Sequence, residues 1–176
     1  SNRILQEQID LARRAGVTVL MDSGNYESYW KNAKLIWTRE HFHRALENFP
    51  ADLAFSFDEQ LPSLDHLAHV KTAIKHYLRD QEAAGGTIVI PILHEAPSNL
   101  PTVCDLFAKE TNVSMLAVAE RRLGESIFER IETIKKIRAR LNSSGRPVGL
   151  HLLGTGNPIS IALYSEAGAN SFDGLE

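Results

Sequence analysis

Short apolar runs alternate with helix-like segments along the chain, and this alternation restricts the fold more than any other feature. The helix-like segments place apolar residues at helical spacing over residues 3–15, 39–48, 63–83, 99–109 and 125–141. The runs between them cover residues 17–21, 52–57, 87–93, 114–118, 148–153 and 170–172. Because neighbouring positions in a run are apolar, both faces of each strand would be buried, as in parallel sheets. Repeated strand–helix units therefore predict an α/β fold with parallel strands and right-handed crossovers.

Two architectures fit these parallel strands: an open doubly wound sheet, or most of a (β/α)8 barrel. A complete barrel takes about 250 residues, whereas this chain has 176. A barrel here would be partial, with about six of its eight strands. We expect a single domain over residues 1–176 that lacks the first two strands. The distinction matters because barrel strands bring their carboxyl-terminal residues to one shared mouth.

The composition argues against several classes of protein. With 43% apolar and 23% charged residues, the chain is typical of a globular domain. Its apolar runs fall far short of the about 20 residues that cross a bilayer, so we expect no membrane partner. The polar first residues do not have a signal-peptide pattern and the chain has one cysteine, so we expect a reducing, cytoplasmic location. The single cysteine, Cys104, excludes an internal disulfide framework and a cysteine-rich zinc site within the chain. The net charge of −3 comes without the basic stripe of a dedicated nucleic-acid binder.

Three aspartates follow three of the predicted strands. Asp22, Asp58 and Asp173 end the segments VTVLMD, DLAFSFD and NSFD. One interpretation is local, since aspartate is favoured in turns and helix caps. In a barrel, however, the three carboxylates would converge on the catalytic face. Close carboxylates have pKa values that spread apart, which provides a nucleophile and a proton carrier for displacement at an anomeric carbon. Metal binding is a competing use, but no histidine or glutamate spacing supports a defined site.

With these residues in view, the sequence resembles the tRNA-guanine transglycosylase (queuine or archaeosine tRNA-ribosyltransferase) family, which includes relatives that modify DNA. Six segments match that family's motifs in order, and the last two are the most specific. They are MDSGNY, LAFSFDE, TIVIPILHEAPSNL, SMLAVAERRLGE, HLLGTGNP and GANSFDG. The family is a (β/α)8 barrel that exchanges a guanine base in a nucleic acid for a 7-deazaguanine.

The resemblance implies roles for individual residues. Asp173 matches the nucleophile that attacks the ribose C1′ to form a covalent intermediate, and Asp22 matches the general acid/base. Asp58 matches the residue that hydrogen-bonds the base edge, and Tyr26 the aromatic that stacks on the base. The other substrate-binding residues expected from the motifs are Ser23, Gly24, His94, Glu120, Leu153 and Gly154.

Several positions depart from the family pattern. The family's glutamine, which reads the guanine carbonyl, has no equivalent, and His94 and Glu95 occupy that turn. His94 could donate to a base carbonyl or be a loop histidine with no role. The family's glycine pair becomes Ala119-Glu120, so that Glu120 is either a pocket carboxylate or an ion-pair partner. His151, in the middle of a strand, is interpreted as a packed or wall residue. The family's zinc region would lie beyond the last strand, so we expect no cofactor and no metal in this chain.

The sequence therefore predicts a pentosyltransferase of the tRNA-guanine transglycosylase type. Its partners would be tRNA or DNA and a guanine or 7-deazaguanine base, with a homo-oligomer or further segments completing the barrel. The alternative is a barrel domain of the same origin that binds a base or nucleotide without exchanging it. The three aspartates favour the enzyme, whereas the altered glutamine and glycine positions favour the binding domain.

Overall fold

The computed structural model describes residues 2–25, 37–49, 51–58, 66–143 and 145–174. Within these ranges the chain forms an α/β structure whose strands are all parallel to their neighbours. It separates into two compact units, one made of Ser1–Asp58 with His76–Ile90 and the other of Glu59–Lys75 with Pro91–Glu176. Among the described residues, no helix combines the length and the apolar character that crossing a membrane requires.

The first unit is built on a three-stranded sheet in the order β1-β2-β3. Its helices and strands are α1 (Asn2–Arg14), β1 (Leu20–Met21), α2 (Arg39–Asn48), β2 (Leu53–Phe55), the end of α3 (His66–Ala83) and β3 (Ile88–Ile90). Phe42 and Leu46 from α2 pack with Ala54 and Val89 from the sheet to form the core. Helix α2 begins at a capping box, in which the Thr38 hydroxyl accepts from the amide three residues on.

The second unit contains a four-stranded sheet in the order β4-β5-β6-β7. The elements are β4 (Ile92–Leu93), α4 (Leu100–Glu110), β5 (Met115–Ala119), a 3-10 turn (Glu120–Arg122), α5 (Ile127–Asn142), β6 (Gly149–Leu153), α6 (Pro158–Ala167) and β7 (Ser171–Phe172). Strands β5 and β6 are buried along most of their length, as the apolar runs predict. Asn157 caps α6, Pro158 fills its first turn, and Gly168 ends it in a left-handed conformation, as the sequence indicates.

One predicted strand differs from the observed structure. The apolar run 87–93 forms two short strands, β3 and β4, which are separated by Pro91. Proline has no amide hydrogen to donate to a ladder, so a strand is interrupted there. The Pro91 carbonyl still accepts a hydrogen bond from Ala117 on β5 at 2.9 Å.

The parallel pairing within both sheets confirms the predicted fold class, which is α/β with parallel strands.

Candidate functional site

The exit of β7 places Asp173 beside the exit of β6 in the second unit. His151 and Leu152 of β6 pair in parallel register with Ser171 and Phe172 of β7. The ladder continues past β7, because the Asp173 amide donates to the Leu152 carbonyl at 3.2 Å and the Asp173 carbonyl accepts from Thr155 at 2.5 Å. Both the amide and the carbonyl of Asp173 are therefore hydrogen-bonded to the end of β6 and the turn after it, and these bonds do not involve the side chain.

The Asp173 carboxylate is held by a backbone amide. Its Oδ1 accepts from the Gly154 amide at 2.7 Å, and Gly154 has a φ of +77°, a conformation that favours glycine. Gly174 permits the close approach of the two chain segments that follow β6 and β7, since a Cβ at position 174 would lie 2.5 Å from the Gly156 nitrogen. The predicted strand end Leu153–Gly154 and the predicted nucleophile thus meet in one turn.

A histidine occupies the other side of the carboxylate. His151 Nε2 lies 3.6 Å from Asp173 Oδ2, an ion-pair distance slightly longer than a hydrogen bond. Burial raises the pKa of the Asp173 carboxyl, but the His151 imidazole and the Gly154 amide lower it by more, and the net pKa lies below the ordinary aspartate value. At neutral pH the group is an anion with 42% of its side chain exposed, which suits a nucleophile.

In the first unit, the turns after β1 and β2 are joined to each other. The Asn25 side-chain amide donates to the Asp58 carbonyl, so the MDSGN and FSFD segments lie together. Ser23 is buried, and its carbonyl accepts from Trp37 Nε1 at 2.7 Å. Gly24 has a φ of +73°, and a Cβ on it would contact the Trp37 ring. Trp37 also packs against the core, so it connects this turn to the core of the first unit.

The two aspartates of these turns differ in exposure. Asp22 is exposed at the end of β1, whereas Asp58 is 7% exposed. An exposed carboxylate can exchange protons with solvent, and a buried one can read a polar group with little competition from water. These environments are compatible with the predicted roles of acid/base and base reader. Tyr26, the predicted stacking residue, lies outside the described residues.

A buried aspartate outside the predicted site residues anchors the exit of β2. Asp80 is fully buried on α3, and its Oδ2 accepts from the Phe57 amide at 2.9 Å. Its Oδ1 lies 2.5 Å from Arg39 and 2.8 Å from His43. The Arg39 guanidinium also sits over the Phe57 ring, 5.0 Å from its centroid. Asp80 thereby fixes the residue that precedes Asp58.

The sequence does carry an indication of Asp80. It lies three residues after Tyr77 and four before Ala84, and both of these pack into the core. A carboxylate at that spacing falls on the apolar face of the helix. Charged residues on such a face are seldom buried without a partner, so the position itself predicts a buried ion pair.

The predicted residues after β4 and β5 lie in different surroundings. His94 and Glu95 are both buried, at 3% and 2% exposure, and Glu95 accepts from the Ala96 amide at 2.9 Å. Glu120 Oε1 accepts from Arg130 and from the Tyr164 hydroxyl, each at 2.8 Å. Of the two interpretations of Glu120, the contacts match the ion pair.

The second unit also has a cleft of about 840 Å³ beside α5. Residues 95–98 and 121–125 line it together with one face of α5. Its walls mix three basic side chains with several glutamates, and Asp173 and Gly154 are not among them. The volume is that of a ligand pocket, but none of the three predicted aspartates lines it.

The structure thus assembles two groups of predicted residues. Ser23, Gly24 and the Asp58 turn lie together in the first unit, and Leu153, Gly154 and Asp173 lie together in the second. Convergence of the two groups on one mouth stays a prediction. Within the described ranges, no group of three or more histidine, cysteine, aspartate or glutamate side chains has the arrangement of a metal site.

Comparison with known proteins adds no family assignment. No protein-family model matches the chain, and no curated protein matches it. The resemblance to the transglycosylases therefore rests on the six sequence segments, and the chemistry of the site rests on the contacts of Asp173, Asp58 and their neighbours.

Proposed function

We propose that this chain is a transglycosylase that exchanges a guanine base in a nucleic acid for a 7-deazaguanine. The observation that carries the proposal is the setting of Asp173. Its carboxylate is half-exposed, is held at 2.7 Å by the Gly154 amide, and has a pKa below the ordinary aspartate value. A positioned anion at a strand exit is what attack on a sugar carbon requires.

The first step would be displacement at the anomeric carbon. Asp173 Oδ2 attacks C1′ of the target nucleotide, the bond from C1′ to the base nitrogen breaks, and the bonding electrons leave with the base. Asp22, exposed at the β1 exit, supplies the proton that neutralises the departing guanine. The product is a glycosyl ester on Asp173, as in retaining glycosidases.

The second step would reverse the first with a new base. Asp22, now a carboxylate, takes a proton from the incoming base, whose ring nitrogen attacks C1′ and releases Asp173. A buried Asp58 would accept hydrogen bonds from the edge of the base, and His94 would donate to its carbonyl. A site built to pair with those groups rejects bases that lack them.

The finer fold proposal is a (β/α)8 barrel of the transglycosylase type, with residues 1–176 as one domain. The support is the strand order, since both sheets run parallel and in sequence order, β1-β2-β3 and β4-β5-β6-β7. An open doubly wound sheet instead reverses its strand order at a switch point, and no such reversal occurs within either sheet of the described part. Barrel strands follow one another in the observed order.

The test is incorporation of radiolabelled guanine into nucleic acid. The purified chain is incubated with unmodified tRNA or with duplex DNA, and label in precipitated nucleic acid is counted. We expect incorporation with the wild type, with loss of at least about a thousandfold in Asp173→Asn, because the nucleophile is removed. Asp10→Asn, a change at an exposed position on α1, is the control and should retain full activity.

Two outcomes would contradict the proposal in different ways. Incorporation that survives in Asp173→Asn would refute the nucleophile assignment. No incorporation into either nucleic acid, together with calorimetric binding of guanine, would favour the non-catalytic binding domain. The ratio of label in tRNA to label in DNA also decides between the two substrate classes.

A further inference from the structure

A series of polar side-chain contacts leads from Ser171 on β7 to His151 on β6 and on to Asp173. Ser171 on β7 and Asp173 just after it are two residues apart along a continuing ladder, so their side chains project from the same face. His151 lies opposite Ser171 in the register. Its Nδ1 is 2.8 Å from Ser171 Oγ, and its Nε2 is 3.6 Å from Asp173 Oδ2. The His151 imidazole therefore faces Ser171 with one ring nitrogen and Asp173 with the other.

The two oxygens of Asp173 have different partners. Oδ1 accepts from the Gly154 amide, whereas Oδ2 faces His151. A backbone amide cannot move without the turn that carries it, and the His151 residue is 4% exposed and confined within the sheet. The carboxylate is consequently limited from both sides to a narrow range of rotation.

The direction of the hydrogen bond between Ser171 and His151 decides which imidazole nitrogen carries a proton. When the Ser171 hydroxyl donates to Nδ1, the neutral ring holds its hydrogen on Nε2 and directs it at Asp173 Oδ2. Ser171 Oγ lies 3.7 Å from the sulfur of Met115, a weak acceptor, so the imidazole nitrogen is the stronger partner for its hydrogen. The geometry is that of an oriented histidine behind a carboxylate.

We propose that His151 is the positioning residue of the Asp173 carboxylate, with Ser171 orienting its ring. The inference rests on the proposed function in giving Asp173 a reaction to perform. His151 holds Oδ2 in line for attack and keeps the carboxylate ionised. Two carboxylates at other strand exits of this sheet are engaged elsewhere, since Glu120 pairs with Arg130 and Glu95 accepts from its neighbouring amide.

The experiment combines kinetics with a direct titration of the carboxyl group. In His151→Phe, we expect kcat for guanine exchange to fall about tenfold to a hundredfold, with KM for guanine within about twofold of the wild type. The acidic limb of the kcat profile should move to higher pH. His151→Gln, which keeps a donor on the side chain, should recover part of the loss, and Ser171→Ala should show a smaller effect in the same direction.

The titration follows the Asp173 carboxyl carbon by NMR in protein with labelled aspartate, assigned by its absence from Asp173→Asn. The pKa of Asp173 should rise in His151→Phe and should rise less in His151→Gln. An unchanged pKa, or an unchanged kcat in an enzyme that is active, would overturn the role of His151. A wild type without exchange would refute the proposed function instead, and the pKa would still decide whether His151 acts on Asp173. If His151→Phe does not fold, the glutamine and Ser171→Ala variants decide by the same measurements.

Discussion

Substitution of Asp80 by alanine is expected to cost more stability than any comparable surface change in this chain. Asp80 is fully buried and accepts from Arg39, His43 and the Phe57 amide. The Arg39 side chain is only 13% exposed, so the variant leaves a mostly buried cation without this carboxylate. Removal of one partner of a buried ion pair lowers the free energy of unfolding by about 3–5 kcal/mol.

The variant also removes the hydrogen bond from the Phe57 amide, but the cost of that loss does not simply add to the cost of breaking the ion pair. An unsatisfied buried amide costs about 1–3 kcal/mol, but one substitution removes all three contacts and the terms overlap. We therefore expect a fall of about 3–5 kcal/mol in the free energy of unfolding, a large share of the about 5–15 kcal/mol typical of a domain. Asp80→Asn, which retains one acceptor oxygen, should lose less.

Asp52 offers a matched control in the same unit. It pairs with an arginine, Arg13, at 3.1 Å and accepts a backbone amide, that of Val19, at 2.8 Å. These partners match two of the three partners of Asp80, its arginine and its backbone amide, but 33% of the Asp52 side chain is exposed. Because water competes for such a pair, Asp52→Ala should lose only about 1 kcal/mol.

The assay is urea denaturation followed by far-ultraviolet circular dichroism and by Trp37 fluorescence. Trp37 packs against the core of the first unit, and a Trp30→Phe background removes the second of the two tryptophans. If Asp80→Ala and Asp52→Ala lose equal stability at equal denaturant slopes, burial does not set the cost and the reasoning is refuted.

Two further predictions concern buried groups in the second unit, and the first is paired with a control, Thr87, in the first unit. The Thr155 hydroxyl is buried without a hydrogen bond to any described residue, so Thr155→Val should raise the free energy of unfolding by about 1 kcal/mol. In Thr87→Val, by contrast, a hydroxyl that donates to Ala51 at 2.8 Å is lost, and urea denaturation should show destabilisation by about the same amount. Burial, followed by the Asp105 carboxylate, raises the pKa of the Cys104 thiol to about 12. A disulfide reagent at pH 8 should therefore label native Cys104 at least about a thousandfold more slowly than the urea-unfolded chain, and comparable rates would contradict the burial.

The elements of this fold were predictable because each depends on local patterns. The run VGLHLL is apolar at consecutive positions and forms β6, and Asn157-Pro158 with Gly168 marks both ends of α6. Pro91 divides a predicted strand for an equally local reason, since it cannot donate to a ladder. The sequence therefore contains the order and type of the elements, and the parallel pairing follows from the crossovers.

The contacts of the site residues were harder to predict from the sequence, because they depend on the register between strands that are distant in the chain. The sequence predicts that His151 is a packed or wall residue, and the residue is buried in the structure. Its contact with Asp173 depends on β6 pairing with β7 so that His151 faces Ser171, and a shift of one residue would turn the imidazole to the other face. The spacing of 22 residues between His151 and Asp173 carries no periodic pattern that reveals this.

Asp80 and His151 nevertheless follow one rule that connects them to the predicted aspartates. Each is a polar side chain on a buried surface, and each contacts a strand-exit residue: Asp80 holds the Phe57 amide before Asp58, and His151 faces Asp173. A polar group that loses its water must find a partner inside the protein. A strand exit is a favourable place for that partner, because the ladder ends there and leaves backbone and side-chain groups to be satisfied. The same desolvation that makes these residues costly to bury therefore ties Asp80 to the backbone before Asp58 and places His151 against the Asp173 carboxylate.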